Sequence, residues 1–177
     1  MYLVVASFKK AIIFVLDAML IRPFQPTDVP QIAQLFHDTI RTVNLSDYSL
    51  DQVRAWAPDD LYFRDWDKMC GDRHTFVAAE NNIILGFGEL EKSGRIDCFY
   101  CHKDYQGHGV GSRIYQAIET KADSLLLPRL TVDASITAKI FFQKMGFSVV
   151  REQQVSTRGQ VFTNYLLEKT LNSDQII

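Results

Sequence analysis

Residues 105–112 read Tyr-Gln-Gly-His-Gly-Val-Gly-Ser, with glycines at alternate positions, Gly107, Gly109 and Gly111. An apolar, aromatic run ending near His102 precedes them. Behind them Val110, Ile114, Ile118, Ala122 and Leu125 recur on one face at helical spacing. The segment therefore reads as strand, glycine loop, helix. Such a junction directs unpaired backbone N–H groups and the positive end of a helix dipole at one point, which suits an anion. Glycines let that ligand reach the backbone with no side chain in the way. A phosphate-bearing ligand is the expectation. Two common phosphate loops are excluded. Gly111 is followed by Ser112-Arg113, where a nucleotide triphosphate loop needs Lys-Ser/Thr. The alternate spacing also departs from the one-three-six spacing of a dinucleotide fingerprint. A tight turn in front of a core helix would use the same residues, so the surroundings must decide.

Other reactive residues say less. Cys98-Phe99-Tyr100-Cys101-His102 matches the C-x-x-C-H pattern of haem attachment. Strand alternation puts Cys98 and Cys101 on opposite faces, which speaks against haem, a zinc site or a redox pair. His37, His74, His102 and His108 show no metal-ligand spacing, and no metal is expected. The odd count of three cysteines argues against a disulfide framework and suits a reducing, cytoplasmic setting. A net charge of −2 favours no nucleic acid partner. Near the N-terminus, the apolar stretches 2–8 and 11–16 are split by Lys9-Lys10 and closed by Asp17. Neither approaches the ~20 residues of a membrane span, and the order differs from a secretory signal.

The elements that must position these residues follow from period and punctuation. Residues 20–24 read as a strand, and Pro26-Thr27 opens a helix with Thr27 as its cap. Ile32, Leu35, Phe36, Ile40 and Val43 carry that helix to about residue 43. Ser49-x-x-Gln52 is a capping box for a short helix through Trp56, stopped by Pro58. Strands follow at 75–80, 83–91 and 95–102, with Asn81-Asn82 and Ser93-Gly94 as turns. After the glycine loop and its helix to about Ser124 come a strand at 129–133 and a helix capped by Ser135 and stopped by Gly146. A hairpin of 147–154 and 161–168 turns at Thr157-Arg158-Gly159. The order β-α-α-β-β-β-α-β-α-β-β is an α+β arrangement around a mixed sheet. At 177 residues one domain is expected, over 19–170, with 171–177 as a tail. Met19 stands directly before the first strand, so residues 1–18 read as an extension outside the fold, from an upstream start codon.

Gln106, Gly109 and Gly111 satisfy Gln-x-x-Gly-x-Gly, which resembles motif A of the GNAT N-acetyltransferase superfamily. Ile21-Arg22-Pro23-Phe24-x-x-x-Asp28 is similar to that family's opening strand. Phe99-Tyr100-Cys101-His102-x-Asp104-Tyr105 resembles the strand end before motif A, and Ala134-Ser135-x-x-Ala138-x-x-Phe141-Phe142-x-Lys144-x-Gly146-Phe147 resembles motif B. The order of elements is also that of the GNAT fold, a mixed central sheet with a splayed strand pair flanked by helices. Tyr48-Ser49-x-x-Gln52-x-x-Ala55-Trp56-Ala57-Pro58, with Arg158-Gly159 and Asn164-Tyr165, resembles the YafP-like branch.

The resemblance implies transfer of acetyl from acetyl-CoA, as co-substrate, to an amine by direct attack. It places the pyrophosphate on Gln106, Gly107, His108, Gly109, Val110, Gly111 and Ser112. It places pantetheine and the acetyl carbonyl along Phe99, Tyr100 and Cys101, with the strand near 132–134 splayed away. Glu89 and Asp97 are the candidate bases for the ammonium proton; each could equally be a solvated or strand-paired carboxylate. The motif B tyrosine that often protonates the thiolate is Phe142 here, also expected to line the cofactor. Tyr100, Tyr165 or solvent would take over that task, eased by a thiol pKa of ~8.5. The acceptor is an amino group of a small molecule, peptide or protein. Tyr48, Trp56, Tyr62, Phe63 and Trp66 would wall it, or simply pack the core. A monomer or homodimer is expected. The rival readings are a non-catalytic acyl-CoA-binding module and an interaction protein that keeps the fold.

Overall fold

The computed structural model describes residues 19–171; the expected extension at 1–18 and residues 172–177 lie outside the described residues. In chain order the elements are β1 (Leu20–Pro23), α1 (Val29–Thr42), α2 (Leu50–Trp56), α3 (Trp66–Gly71), β2 (His74–Glu80), β3 (Ile83–Leu90), β4 (Arg95–Cys101), α4 (Val110–Ser124), β5 (Arg129–Ser135), α5 (Ile136–Lys144), β6 (Ser148–Thr157) and β7 (Gln160–Thr170). The strands form one sheet in the order β1-β2-β3-β4-β5-β7-β6. Every neighbouring pair is antiparallel except β4 and β5. Among the described residues no helix is long and apolar enough to cross a membrane.

Helices cover both faces. On one, α4 sets Val110, Ile114, Ile118 and Ala122 against Leu90, Ile96, Val132 and Leu167. On the other, α1 sets Ile32, Phe36 and Ile40 against Val77, Phe87 and Cys98. Each fully buried side chain of this size contributes about 1.5–3 kcal/mol. The α4 face depends on missing side chains. A Cβ at Gly86 would lie 2.9 Å from Ile114, and one at Gly88 would lie 2.8 Å from it. Bare backbone on β3 lets α4 sit close to the sheet and sets where its N-terminus ends up.

Local signals act as read. Asn81 and Asn82 turn β2 into β3 with φ of 50° and 63°, and Arg158-Gly159 turns β6 into β7. Both bonds of the Ser49–Gln52 capping box form, at 2.8 and 3.3 Å. Thr27 is not the cap of α1. The Asp28 carboxylate accepts the Gln25 N–H at 2.9 Å and both terminal nitrogens of Arg22 at 2.7 and 2.8 Å, clamping β1 to the helix start. Helix α3 was not anticipated; Asp65 caps it by accepting the Lys68 N–H at 3.1 Å, and Trp66 and Cys70 bury into the α1 face. Leu171, placed in the tail by sequence, is buried in the α4 core and bonds Pro128 O through its N–H at 2.9 Å.

Two irregularities create the site. Strands β4 and β5 pair only at Arg95–Thr131 and Ile96–Val132 and diverge beyond. In addition, Gly88 pairs with Phe99 and Leu90 with Ile96, so the single residue Glu89 opposes Asp97 and Cys98 together. That β-bulge turns two consecutive β4 residues toward the same face.

Candidate active site

Helix α4 begins without a side-chain cap. Its N-cap is Gly109, with φ 79°, whereas Ser49, Asp65 and Ser135 cap α2, α3 and α5. The first-turn N–H groups of Val110, Gly111 and Ser112 have no acceptor inside the helix. Gln106 folds its amide back, donating to Cys101 O at 2.7 Å and His102 O at 3.3 Å, so the loop is latched to the end of β4. A Cβ at Gly107 or Gly109 would meet nothing within 4 Å, so the backbone there borders open space. At Gly111 a Cβ would lie 3.1 Å from the Phe141 ring, so the loop also needs glycine to approach α5.

These groups border a groove of about 370 Å³ between β4, the loop and α5. Phe99, Tyr100 and Cys101 line one wall, Gln106, Gly107, Gly109, Val110, Gly111 and Ser112 the next, and Thr137, Ala138, Phe141 and Lys144 the third. An uncapped helix start beside a lysine is a cradle for a phosphorylated ligand.

A second cavity of about 300 Å³ opens on the other side of the strand divergence. Asp97, Cys98 and Tyr100 of β4, Asp133 and Ser135 of β5, and Phe162 and Asn164 of β7 line it. Phe36, Tyr48, Trp56 and Arg64 close it over. Tyr100 and Ser135 border both spaces, so a ligand in one meets a ligand in the other there.

Charge is concentrated at the narrow end. Arg73 pairs with Glu89, with Asp97 at 2.7 Å and with Glu91 at 3.1 Å. Arg95 pairs with Asp97 at 3.3 Å and Asp133 at 3.1 Å. Glu89, Asp97 and Cys98 bring potential metal ligand atoms within 4.8 Å of one another, but Arg73 already binds both carboxylates. Burial pushes the Glu89 carboxyl above its usual range, although Arg73 and the Cys70 thiol pull it back. Burial also raises the Cys101 thiol to about 12, so it stays protonated and poorly reactive at neutral pH. The Tyr100 ring packs on Phe36 at 4.8 Å and Phe87 at 5.8 Å, and removal from water pushes its phenol well above the usual range.

A family model described as an acetyltransferase (GNAT) domain matches residues 44–169. The chain belongs to the GNAT acetyltransferase family. It is 34% identical over 148 residues to the uncharacterized N-acetyltransferase YafP of Escherichia coli (strain K12), covering 83% of this chain and 93% of that one. A GCN5-related N-acetyltransferase structure from Rhodopseudomonas palustris is 32% identical with a TM-score of 0.81, covering 89% of this chain and 98% of that one. PaiA N-acetyltransferase from Thermoplasma acidophilum, in complex with coenzyme A, shares the fold at 14% identity and a TM-score of 0.71, covering 87% and 99%.

Within this GNAT domain the residues singled out from sequence separate. The strand triplet and most of the glycine loop lie together on the groove. His108 does not line it; the ring is exposed, with Nδ1 2.9 Å from Gln106 O. Phe142 does not line it either. It is 1% exposed and packs on Phe99 and Phe147. Helical phase is the reason: Thr137, Ala138, Phe141, Lys144 and Met145 share the groove-facing side of α5, and Phe142 lies a quarter-turn behind. Of the expected bases Asp97 faces the second cavity, while Glu89 has no exposure and lines neither space. Tyr165 lines neither; it pairs with Ala134 on the α5 face, under Lys139 Nζ at 3.7 Å. Tyr48 and Trp56 wall the second cavity, while Trp66 is core and Tyr62 is 58% exposed. Sequence reasoning missed Arg64, Asp133 and Asn164 as cavity residues, and Lys144 as a groove residue. Lys144 carried a signal in its place in motif B, and Asn164 in the Asn164-Tyr165 pair of the resemblance, but neither was assigned to a site.

Proposed function

We propose that this GNAT protein transfers acetyl from acetyl-CoA to an amine held in the cavity between the diverging β4 and β5. The observation that carries the proposal is the meeting of two differently built spaces at Tyr100 and Ser135. One is shaped for a phosphorylated thioester. Its uncapped α4 N–H groups and Lys144 suit the pyrophosphate, and the free edge of β4 suits pantetheine. The coenzyme A complex of the similarly folded PaiA supports that assignment. The other space is walled by aromatics and carries carboxylates, which suits an ammonium.

Asp97, at the edge of the cavity, takes the ammonium proton. The freed amine lone pair attacks the thioester carbonyl carbon, the C–S bond breaks, CoA leaves as a thiolate, and the second nitrogen proton passes to solvent as the amide forms. Helix α5 presents Phe141 rather than a phenol to the groove, and solvent protonates the thiolate, which leaves readily because an ordinary thiol pKa is ~8.5. Thiol release from acetyl-CoA against a panel of amines tests this, alongside the thermal shift produced by CoA. CoA-dependent stabilisation with amine-dependent thiol release supports transfer. Stabilisation without thiol release on any amine would reduce the protein to an acyl-CoA binder, and no stabilisation would remove both readings.

A further inference from the structure

Resting on the transfer reading above, we propose that the acceptor is an amine of amino-acid size that also bears a carboxylate, and that Arg64 selects it by binding that carboxylate. Arg64 lines the acceptor cavity and has no carboxylate partner among the described residues. Its polar contact there is Nη1 donating to Cys98 Sγ at 3.8 Å. Burial holds the Cys98 thiol well above its usual range, so it is a neutral, weak acceptor rather than a counter-ion.

The guanidinium is held in place all the same. It stacks against Phe36 at 4.9 Å, Phe63 at 4.6 Å and Trp66 at 5.0 Å. Rings against its faces leave the edge N–H groups as the binding surface, the geometry that pairs bidentately with a carboxylate. Because the rings already restrict the side chain, little freedom is lost when a ligand binds.

The rest of the cavity has the opposite character. On its wall Arg95 stands between two carboxylates, Asp97 and Asp133, so that end is net negative. Asn164 Oδ1 is buried on the cavity wall without a hydrogen-bond partner and suits an N–H donor. An ammonium at the acidic end and a carboxylate at Arg64 describe a zwitterion. About 300 Å³ lies at the small end of ligand sites and suits one residue rather than a protein segment.

The test measures kcat/KM with acetyl-CoA for a panel of α-amino acids, each beside its amide and the amine lacking the carboxylate. Wild type is expected to prefer the carboxylate form by about 10- to 100-fold, the worth of one charge-assisted contact. In Arg64→Met, which keeps the stem among the rings, the ratio collapses toward one; Arg64→Lys, which keeps charge without the fork, retains part of it. CoA-induced thermal stabilisation reports that each variant is folded, and Arg64→Lys serves alone where methionine loosens the ring cluster. A second arm measures binding of N-acetyl amino acids to the protein with CoA. Equal use of amines and amino acids by wild type, or equal losses on both in Arg64→Met, overturns the inference and leaves transfer standing. Arg64-dependent carboxylate binding without any acetylation keeps the inference and removes transfer. Carboxylate binding indifferent to Arg64 overturns it.

Discussion

Gly109→Ala and Gly159→Ala form a matched pair that isolates what the glycine loop does. Both glycines have φ of 79°, and a Cβ at either meets nothing within 4 Å. Backbone strain should therefore be the same: about 1–2 kcal/mol for a left-handed alanine, offset by roughly 0.4–1 kcal/mol from a stiffer unfolded chain. A net loss near ~1 kcal/mol lowers Tm by about 2–4 °C in a chain of this size. The two positions differ only in place. Gly159 turns β6 into β7, whereas Gly109 is the N-cap of α4 on the groove. If the first-turn N–H groups hold the pyrophosphate, displacing one costs about 1.5–3 kcal/mol, a 10- to 100-fold rise in the Kd for CoA. At CoA equal to 100 times the wild-type Kd, ligand stabilisation of about 2.7 kcal/mol would fall to about 0.4 kcal/mol for a 100-fold weaker variant. Calorimetric titration with CoA and thermal melts with and without it measure both effects. Equal Tm losses with CoA affinity lost only in Gly109→Ala is the expected outcome. Unchanged CoA affinity in Gly109→Ala, or equal weakening in Gly159→Ala, would refute the placement of the cofactor on this loop.

Three further outcomes follow from the site. Asp97→Asn is expected to lower kcat/KM by about 10²–10⁴ near neutral pH with a flattened pH profile, whereas Glu89→Gln, which breaks a buried pair, should cost about 3 kcal/mol in urea unfolding; a pH profile changed by Glu89→Gln alone would reverse the assignment. Phe142→Ala should cost about 3–5 kcal/mol of stability because its side chain is core, whereas Phe141→Ala should weaken CoA binding more than folding, as titration and thermal melts would show. Burial works against the Asp28 carboxylate, but Arg22 and the Gln25 N–H hold its pKa below the usual range. Its contribution is present above ~3.9 and is lost as pH falls through the lower folded value. The Tm gap between wild type and Asp28→Asn should be constant above about pH 5 and close in acid; a gap that widens on acidification would sink the clamp.

Much of this architecture was legible because it rests on short-range rules. Positive-φ turns at Asn81-Asn82 and Arg158-Gly159, the Ser49 and Ser135 caps and the Gly146 stop each depend on residues a few positions apart. The groove was legible for the same reason, since strand end, loop and helix start are consecutive in the chain. Helix α3 was missed because six residues carry too little periodicity, and its stability comes from burying Trp66 and Cys70 against distant elements. Thr27 was misread because Arg22, outside the helix, fixes Asp28 at its start.

The second cavity was not legible, because it depends on registers between strands far apart in the chain. Simple alternation puts Asp97 and Cys98 on opposite faces; the bulge against Glu89 puts both on one. Phe63 and Trp66 lie within two residues of Arg64, but nothing in the chain says that Phe36 will join them or that the guanidinium will meet Cys98 of β4. The sequence by itself determined the fold class and a cradle suited to a phosphate-bearing ligand, because element order and local backbone geometry specify those, and its motifs carried the resemblance to the family. Only the tertiary structure decided which carboxylate faces the second cavity, that Phe141 rather than Phe142 meets the groove, and that Arg64 lines the same cavity as Asp97 and Asp133. Those facts depend on helical phase and long-range pairing, which local residue patterns do not encode.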